Sequence, residues 1–128
     1  VIVTTPQDVA LSDARKGIEM FKKVDVPILG VVENMSMHTC TNCGHEEAIF
    51  GTGGGDSLSA EYSVEVIGRL PLDLTIRETT DAGNPVVASK SDHAATKAYI
   101  KLAKNVEQQL LASTPSNGEG PTITISDD

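Results

Sequence analysis

The sequence predicts an α/β protein built on a parallel sheet, and three observations carry that prediction. Its apolar fraction is 39% but its aromatic fraction is 3%, so the core must be Val, Ile, Leu and Ala, as in parallel strands covered by helices. Short apolar runs alternate with stretches of helical periodicity. Pro and Gly punctuate the joins between them. At 128 residues this is one domain's worth of chain.

Residues 1–4 read as a buried strand. In the TPQD run that follows, Thr5 reads as an N-cap, Pro6 as the first helical residue and Asp8 as the acidic residue three places after the cap. Leu11, Ala14, Ile18, Phe21 and Val24 then form one apolar helical stripe. Pro27 closes the unit, and residues 28–32 make the second apolar strand. After Asn34 the helical period disappears through residues 35–55, which predicts a long loop carrying both cysteines and a glycine cluster.

A short helix over 56–62 leads into a third strand at 64–70, broken by Pro71. A helix over 74–82 ends at Gly83, with Pro85 just beyond. Residues 86–88 read as a short strand. Ser91 or Asp92 caps the last helix, whose stripe is Ala95, Ala98, Tyr99, Leu102, Val106 and Leu110. A domain over 1–112 therefore precedes a flexible acidic tail over 113–128, rich in Ser, Gly and Pro, with at most a strand at 122–125.

This alternation implies right-handed crossovers between parallel strands. Ligand sites in such sheets lie beyond the carboxyl ends of the strands. The segments leaving strands at that end are residues 4–7, 33–36 and 71–73.

The net charge of −8, from 10 Lys plus Arg against 18 Asp plus Glu, leaves no clustered basic surface for a phosphate backbone. Nucleic acid is not an expected partner. No segment reads as a signal peptide and no apolar run approaches a membrane span, so no membrane partner is expected either. The two cysteines, Cys40 and Cys43, have CxxC spacing without a secretory segment, which points to a reducing, cytoplasmic compartment.

Within CTNCGH, two thiols two residues apart can chelate one metal centre, and Thr41, Asn42 and Gly44 allow a tight turn around it. Two ligands cannot close a tetrahedral site. Either His38 and His45 complete a zinc set, or a second copy of the chain supplies two more thiolates around an iron–sulfur cluster. Gly44 stands where a c-type haem motif needs His. A thioredoxin-like pair should open a helix directly after a strand, and this pair lies deep in a loop. Residue types and spacing alone leave cluster, zinc, and redox or inert thiols open.

Other features read more plainly. The GTGGG run lacks the Lys and Ser/Thr of a phosphate loop and reads as a flexible connection or a helix start. His38 and His45 read as loop polarity where they do not ligate, and His93 as surface without a partner. Met35 and Met37 read as partner surface or packing filler. Asp8 and Asp13 could face the ligand end of the sheet, with helix capping the blander role for Asp8.

Five segments in order, VIVTTPQDVALSDARKGIEMF, PILGVVENMS, CTNCG, IFGTGGG and GRLPLDLTIRETTDAGNPVV, resemble the C-terminal half of Mrp/ApbC-type proteins. These are P-loop ATPases that carry iron–sulfur clusters, and the detail of HTCTNCGHEEAIFGTGG looks closest to bacterial members. The resemblance runs from Val1 to about Leu110. It implies the C-terminal part of a doubly wound, mostly parallel sheet of the P-loop NTPase type, with a cysteine-bearing loop. It also implies a homodimer that holds a labile [4Fe-4S] cluster between subunits, with Cys40 and Cys43 as ligands, and passes it to apo-proteins. Asn34 and the turn of Pro71, Leu72 and Asp73 match segments that close over the nucleotide base. The family's phosphate loop, catalytic Lys and Mg²⁺-binding residues lie upstream of the segment matching Val1, and no G-x-x-x-x-G-K-[ST] occurs here. The chain thus reads as a fragment, expected neither to bind nor to hydrolyse ATP alone. Its alternatives are a zinc-binding structural or regulatory module and a MinD-like ATPase switch.

Overall fold

A computed structural model describes residues 1–113. Three parallel strands form the sheet: β1 (Ile2–Thr4), β2 (Val31–Glu33) and β5 (Val66–Arg69), in the order β1-β2-β5. Between β2 and β5 lies a separate antiparallel pair, β3 (His38–Thr39) and β4 (Glu46–Glu47). The helices are α1 (Asp8–Lys23), α2 (Gly54–Tyr62), α3 (Leu74–Asp81), α4 (Val86–Ser89) and α5 (Ala94–Ser113).

Helices pack on both faces of the sheet, the doubly wound arrangement the family resemblance implies, while β1 keeps one face open at Val3. On one face Ile2 and Val31 meet Leu11, Ala14 and Ile18 of α1 and Leu58 of α2. On the other, Val32, Ile67 and Leu70 pack against Ala98, Tyr99, Leu102 and Val106 of α5. Central strand β2 is buried along its whole length, as a strand clothed on both faces must be. Ile18 and Leu58 are fully buried, each stabilising by roughly 1.5–3 kcal/mol relative to exposure.

The N-terminal helix starts later than the TPQD run suggests. Gln7 is its N-cap and forms no side-chain capping bond, while Thr5 Oγ1 donates to Gln7 Oε1 at 3.1 Å. Pro6 thus lies in the turn before the helix, and Asp8 sits in the first turn, where a carboxylate suits the macrodipole. Val24 leaves the apolar stripe and stands exposed as the C-cap. Strands β2 and β5 are shorter than expected and start at residues 31 and 66.

Residues 86–89 are helical, not extended. Ala88 and Ser89 N–H both donate back to Pro85 O, at 2.9 and 3.1 Å, and Lys90 N–H to Val86 O at 2.9 Å. Thr96 Oγ1, buried on α5, contacts Val86 O and Lys90 O at 3.0 and 2.7 Å, so this segment is pinned to a helix and pairs with no strand. The cap of α5 is also corrected: neither Ser91 nor Asp92 but His93 Nδ1 accepts from Ala95 N–H, at 3.2 Å. Helix α5 continues through Ser113, one residue into the expected tail, and the strand expected at 122–125 lies outside the described residues.

Candidate functional site

The parallel strands point their carboxyl ends one way, and the expected ligand-end segments meet there. Asn34 N–H donates to Thr4 O at 2.7 Å, joining the exits of β2 and β1. Asn34, Met35, Pro71, Leu72 and Asp73 line a cavity of about 390 Å³ together with Ile76, Arg77 and Tyr99. The three residues singled out for nucleotide contact, Asn34, Pro71 and Asp73, therefore share one cleft. Arg77 and Tyr99 were not singled out, since nothing local in the sequence marks a helix surface that faces a turn.

Each cleft residue is held by a specific bond. Asn34 Oδ1 accepts from Met35 N–H at 2.9 Å, which fixes Met35 in the left-handed region at φ 55°. A non-glycine residue there is uncommon and persists when its surroundings over-determine it. Asp73 is extended and caps α3: its Oδ1 accepts from Thr75 N–H at 2.7 Å. Its Oδ2 lies 3.7 Å from His93 Nε2, so His93 is not the partnerless surface residue its position suggests. The Asp73 carboxylate is thereby occupied with capping α3 and facing α5.

Residues 35–53 are not one structureless loop, because the β3–β4 pair organises them. His38 faces Glu47 and Thr39 faces Glu46 across the pair, with the cysteines in the connection at its tip. Cys40 N–H donates to His45 O and Gly44 N–H to Cys40 O, each at 2.9 Å, and Gly44 takes the φ of +73° that glycine adopts without cost. This closes residues 40–45 into a tight turn. Both thiols are free; Cys40 is half-buried and Cys43 exposed. The backbone N–H groups of Cys43 and Asn42 aim at Cys40 Sγ and hold its thiol below the ordinary value, with the Cys43 side chain and the His38 ring adding to the effect. Such a thiol is closer to the thiolate that ligates metal.

The two histidines beside the thiols each make a contact within the fold. His38 Nδ1 lies 3.1 Å from Leu72 O, and the His45 carbonyl closes the turn. Among the described residues, no group of three or more His, Cys, Asp or Glu is gathered to hold a metal ion. One chain thus offers the two thiols and no complete set.

The sequence reading missed Glu33. It ends β2 at 2% exposure, and its carboxylate accepts from Gly55 N–H at 2.7 Å and from Ser36 Oγ at 2.9 Å. Arg69 Nε lies 3.6 Å away, and Arg69 itself binds Asp56 at 2.6 Å. The glycine run is accordingly a helix start: Gly53 is the left-handed N-cap of α2, and Gly54 and Gly55 are buried in its first turn. Nothing local in the sequence marks this pairing, because Glu33 and Gly55 lie 22 residues apart.

Comparison with known proteins agrees with this architecture. A family model described as ParA, NUBPL iron-transfer P-loop NTPase, matches residues 1–107. The iron–sulfur cluster carrier protein of Haemophilus influenzae is 54% identical over 110 residues, 86% of this chain and 30% of its own length. The chain therefore spans about a third of such curated relatives. Among solved structures, the cell division ATPase MinD of Pyrococcus furiosus aligns at TM-score 0.64 and 28% identity, covering 82% of this chain and 40% of that one. A nucleotide-binding protein from Archaeoglobus fulgidus, in complex with ADP, aligns at TM-score 0.55 and 33% identity over 64% of this chain and 35% of its own.

Proposed function

Because this chain belongs to the ParA family of NUBPL-type iron-transfer P-loop NTPases, we propose that it serves an iron–sulfur cluster carrier. Cys40 and Cys43 each give a thiolate to a labile [4Fe-4S] cluster, and a second copy of the chain gives the other two. The observation that carries this reading is the exposed chelating turn, closed by the Cys40–His45 and Gly44–Cys40 bonds, with backbone donors lowering the Cys40 thiol. Four thiolates satisfy such a cluster, and a turn at a hairpin tip leaves it accessible to an apo-protein acceptor. The cluster is cargo, bound in order to be surrendered. The carrier works in the cytoplasm as a homodimer.

In a protein of the relatives' length, cluster handling is coupled to ATP and Mg²⁺. The cleft of Asn34, Pro71 and Asp73 suits the base of a nucleotide, since Asn34 retains its Nδ2 hydrogens for a ring acceptor. Phosphate and metal contacts have no counterpart among these residues, since the sequence holds no phosphate loop. Anaerobic reconstitution with iron and sulfide tests the reading. About four iron per pair of chains, lost in Cys40→Ser and Cys43→Ser, is expected; stoichiometric zinc on a single chain, lost with His45→Ala, would replace it with the zinc module. The likeness to MinD favours one other reading, an ATPase switch with incidental cysteines, which predicts intact cellular function in both serine variants.

A further inference from the structure

We propose that His38 is a positioning residue joining the cysteine turn to the cleft, so that occupancy of either one changes binding at the other. The proposal rests on the carrier reading above and adds the regulation of that same site.

The pairing of β2 with β5 does not stop at the strand ends. Leu70 N–H donates to Glu33 O, Ser36 N–H to Leu70 O and Leu72 N–H to Met37 O, each at 2.9 Å, and His38 bridges to Leu72 in parallel register. The chain leading to the hairpin is therefore zipped along the chain leading into the cleft turn. His38 Nδ1 completes the seam at 3.1 Å from Leu72 O. A carbonyl only accepts, so Nδ1 carries the proton and donates.

Leu72 thus commits both its backbone groups to the hairpin segment while its neighbours Pro71 and Asp73 line the cleft. His38 stands two residues before Cys40 in β3, so a turn that closes on cargo pulls directly on the ring. On the cleft side, Asp73 passes any shift to α3 through its bond to Thr75. Met35, held left-handed by Asn34, supplies a strained point between cleft and seam that a small displacement can relieve. By linkage, a factor by which cargo changes nucleotide binding is the factor by which nucleotide changes cargo binding.

Amide hydrogen exchange on the full 128-residue chain, before and after anaerobic loading with iron and sulfide, tests this. In the unaltered chain, cluster absorbance should appear and loading should slow exchange at least about fivefold both in residues 39–46 and in residues 72–75. In His38→Ala the cluster should still form and protect 39–46, while the slowing at 72–75 is lost. His38→Asn, whose Nδ2 can stand in for Nδ1, should restore it. His38→Val, which suits a strand and lacks the donor, carries the same expectation if the alanine variant does not fold. A merely structural histidine would alter exchange equally with and without cargo. Cluster formation with no slowing at 72–75, or with slowing unchanged in His38→Ala and His38→Val, overturns the proposal alone. Absence of cluster absorbance in the unaltered chain overturns the carrier reading and this proposal together.

Discussion

Gly55 N–H, in the first turn of α2, donates to the buried carboxylate of Glu33 at 2.7 Å. A helix N-terminus presents unpaired donors and partial positive charge, and here an internal carboxylate fills that role. The glycine run beside the cysteine hairpin is thus a seat for the protein's own side chain. It ties the end of β2 to the start of α2.

Alanine at Gly54 and at Gly55 should behave differently. A Cβ on Gly54 would sit 2.8 Å from Pro6 Cα, a backbone atom, and 3.1 Å from Leu11 Cδ1. Replacing helical glycine gains about 1 kcal/mol, but overpacking against backbone costs about 1–3 kcal/mol, so Gly54→Ala should destabilise. At Gly55 the nearest atom is Glu33 Oε2 at 3.1 Å, and the milder crowding should leave stability near neutral. Glu33→Ala should cost about 1–3 kcal/mol by stranding buried donors. Urea denaturation of the three variants checks the order.

Cys40 should react as a low-pKa thiol. The backbone N–H groups of Cys43 and Asn42 favour its thiolate, so deprotonation moves to lower pH than in a free thiol. In Cys43→Ser those N–H groups remain. Iodoacetamide labelling of that variant should reach half its limiting rate at a lower pH than N-acetylcysteine does, and a midpoint at or above the free thiol's contradicts the geometry.

The 128 residues alone should not bind ATP detectably. The cleft offers contacts for a base, and the principal charged contacts to triphosphate are absent from the sequence. Calorimetry with ATP and Mg²⁺ should be flat; micromolar binding would mean that the nucleotide site has been misplaced.

Among the described residues β1 ends the sheet with no strand on its outer edge, and Val1 and Val3 are 51% and 61% exposed. An apolar edge strand templates pairing with another chain. Sedimentation should show concentration-dependent self-association of the isolated chain, and Val3→Lys should reduce it. An equal degree of association in that variant would locate the contact elsewhere.

Whatever depends on near neighbours in the chain is legible in the residues alone. The stripe of Leu11, Ala14 and Ile18, the apolar β2 run, the breaks at Pro71 and Gly83, and the chelating spacing of Cys40 and Cys43 are all set by periodicity or by a few covalent links. Strand-end logic then placed Asn34, Pro71 and Asp73 at one end of the sheet, and they line one cleft. Whatever depends on distant partners emerges only in the fold. Residues 86–89, apolar enough for a strand, are helical, with Thr96 on α5 donating to the carbonyls of Val86 and of Lys90 just beyond. His93 finds Asp73 twenty residues away, Glu33 finds Gly55, and His38 finds Leu72 across 34 residues. Buried polar groups must be satisfied wherever a partner lies in space, and no local pattern records which partner the fold will bring.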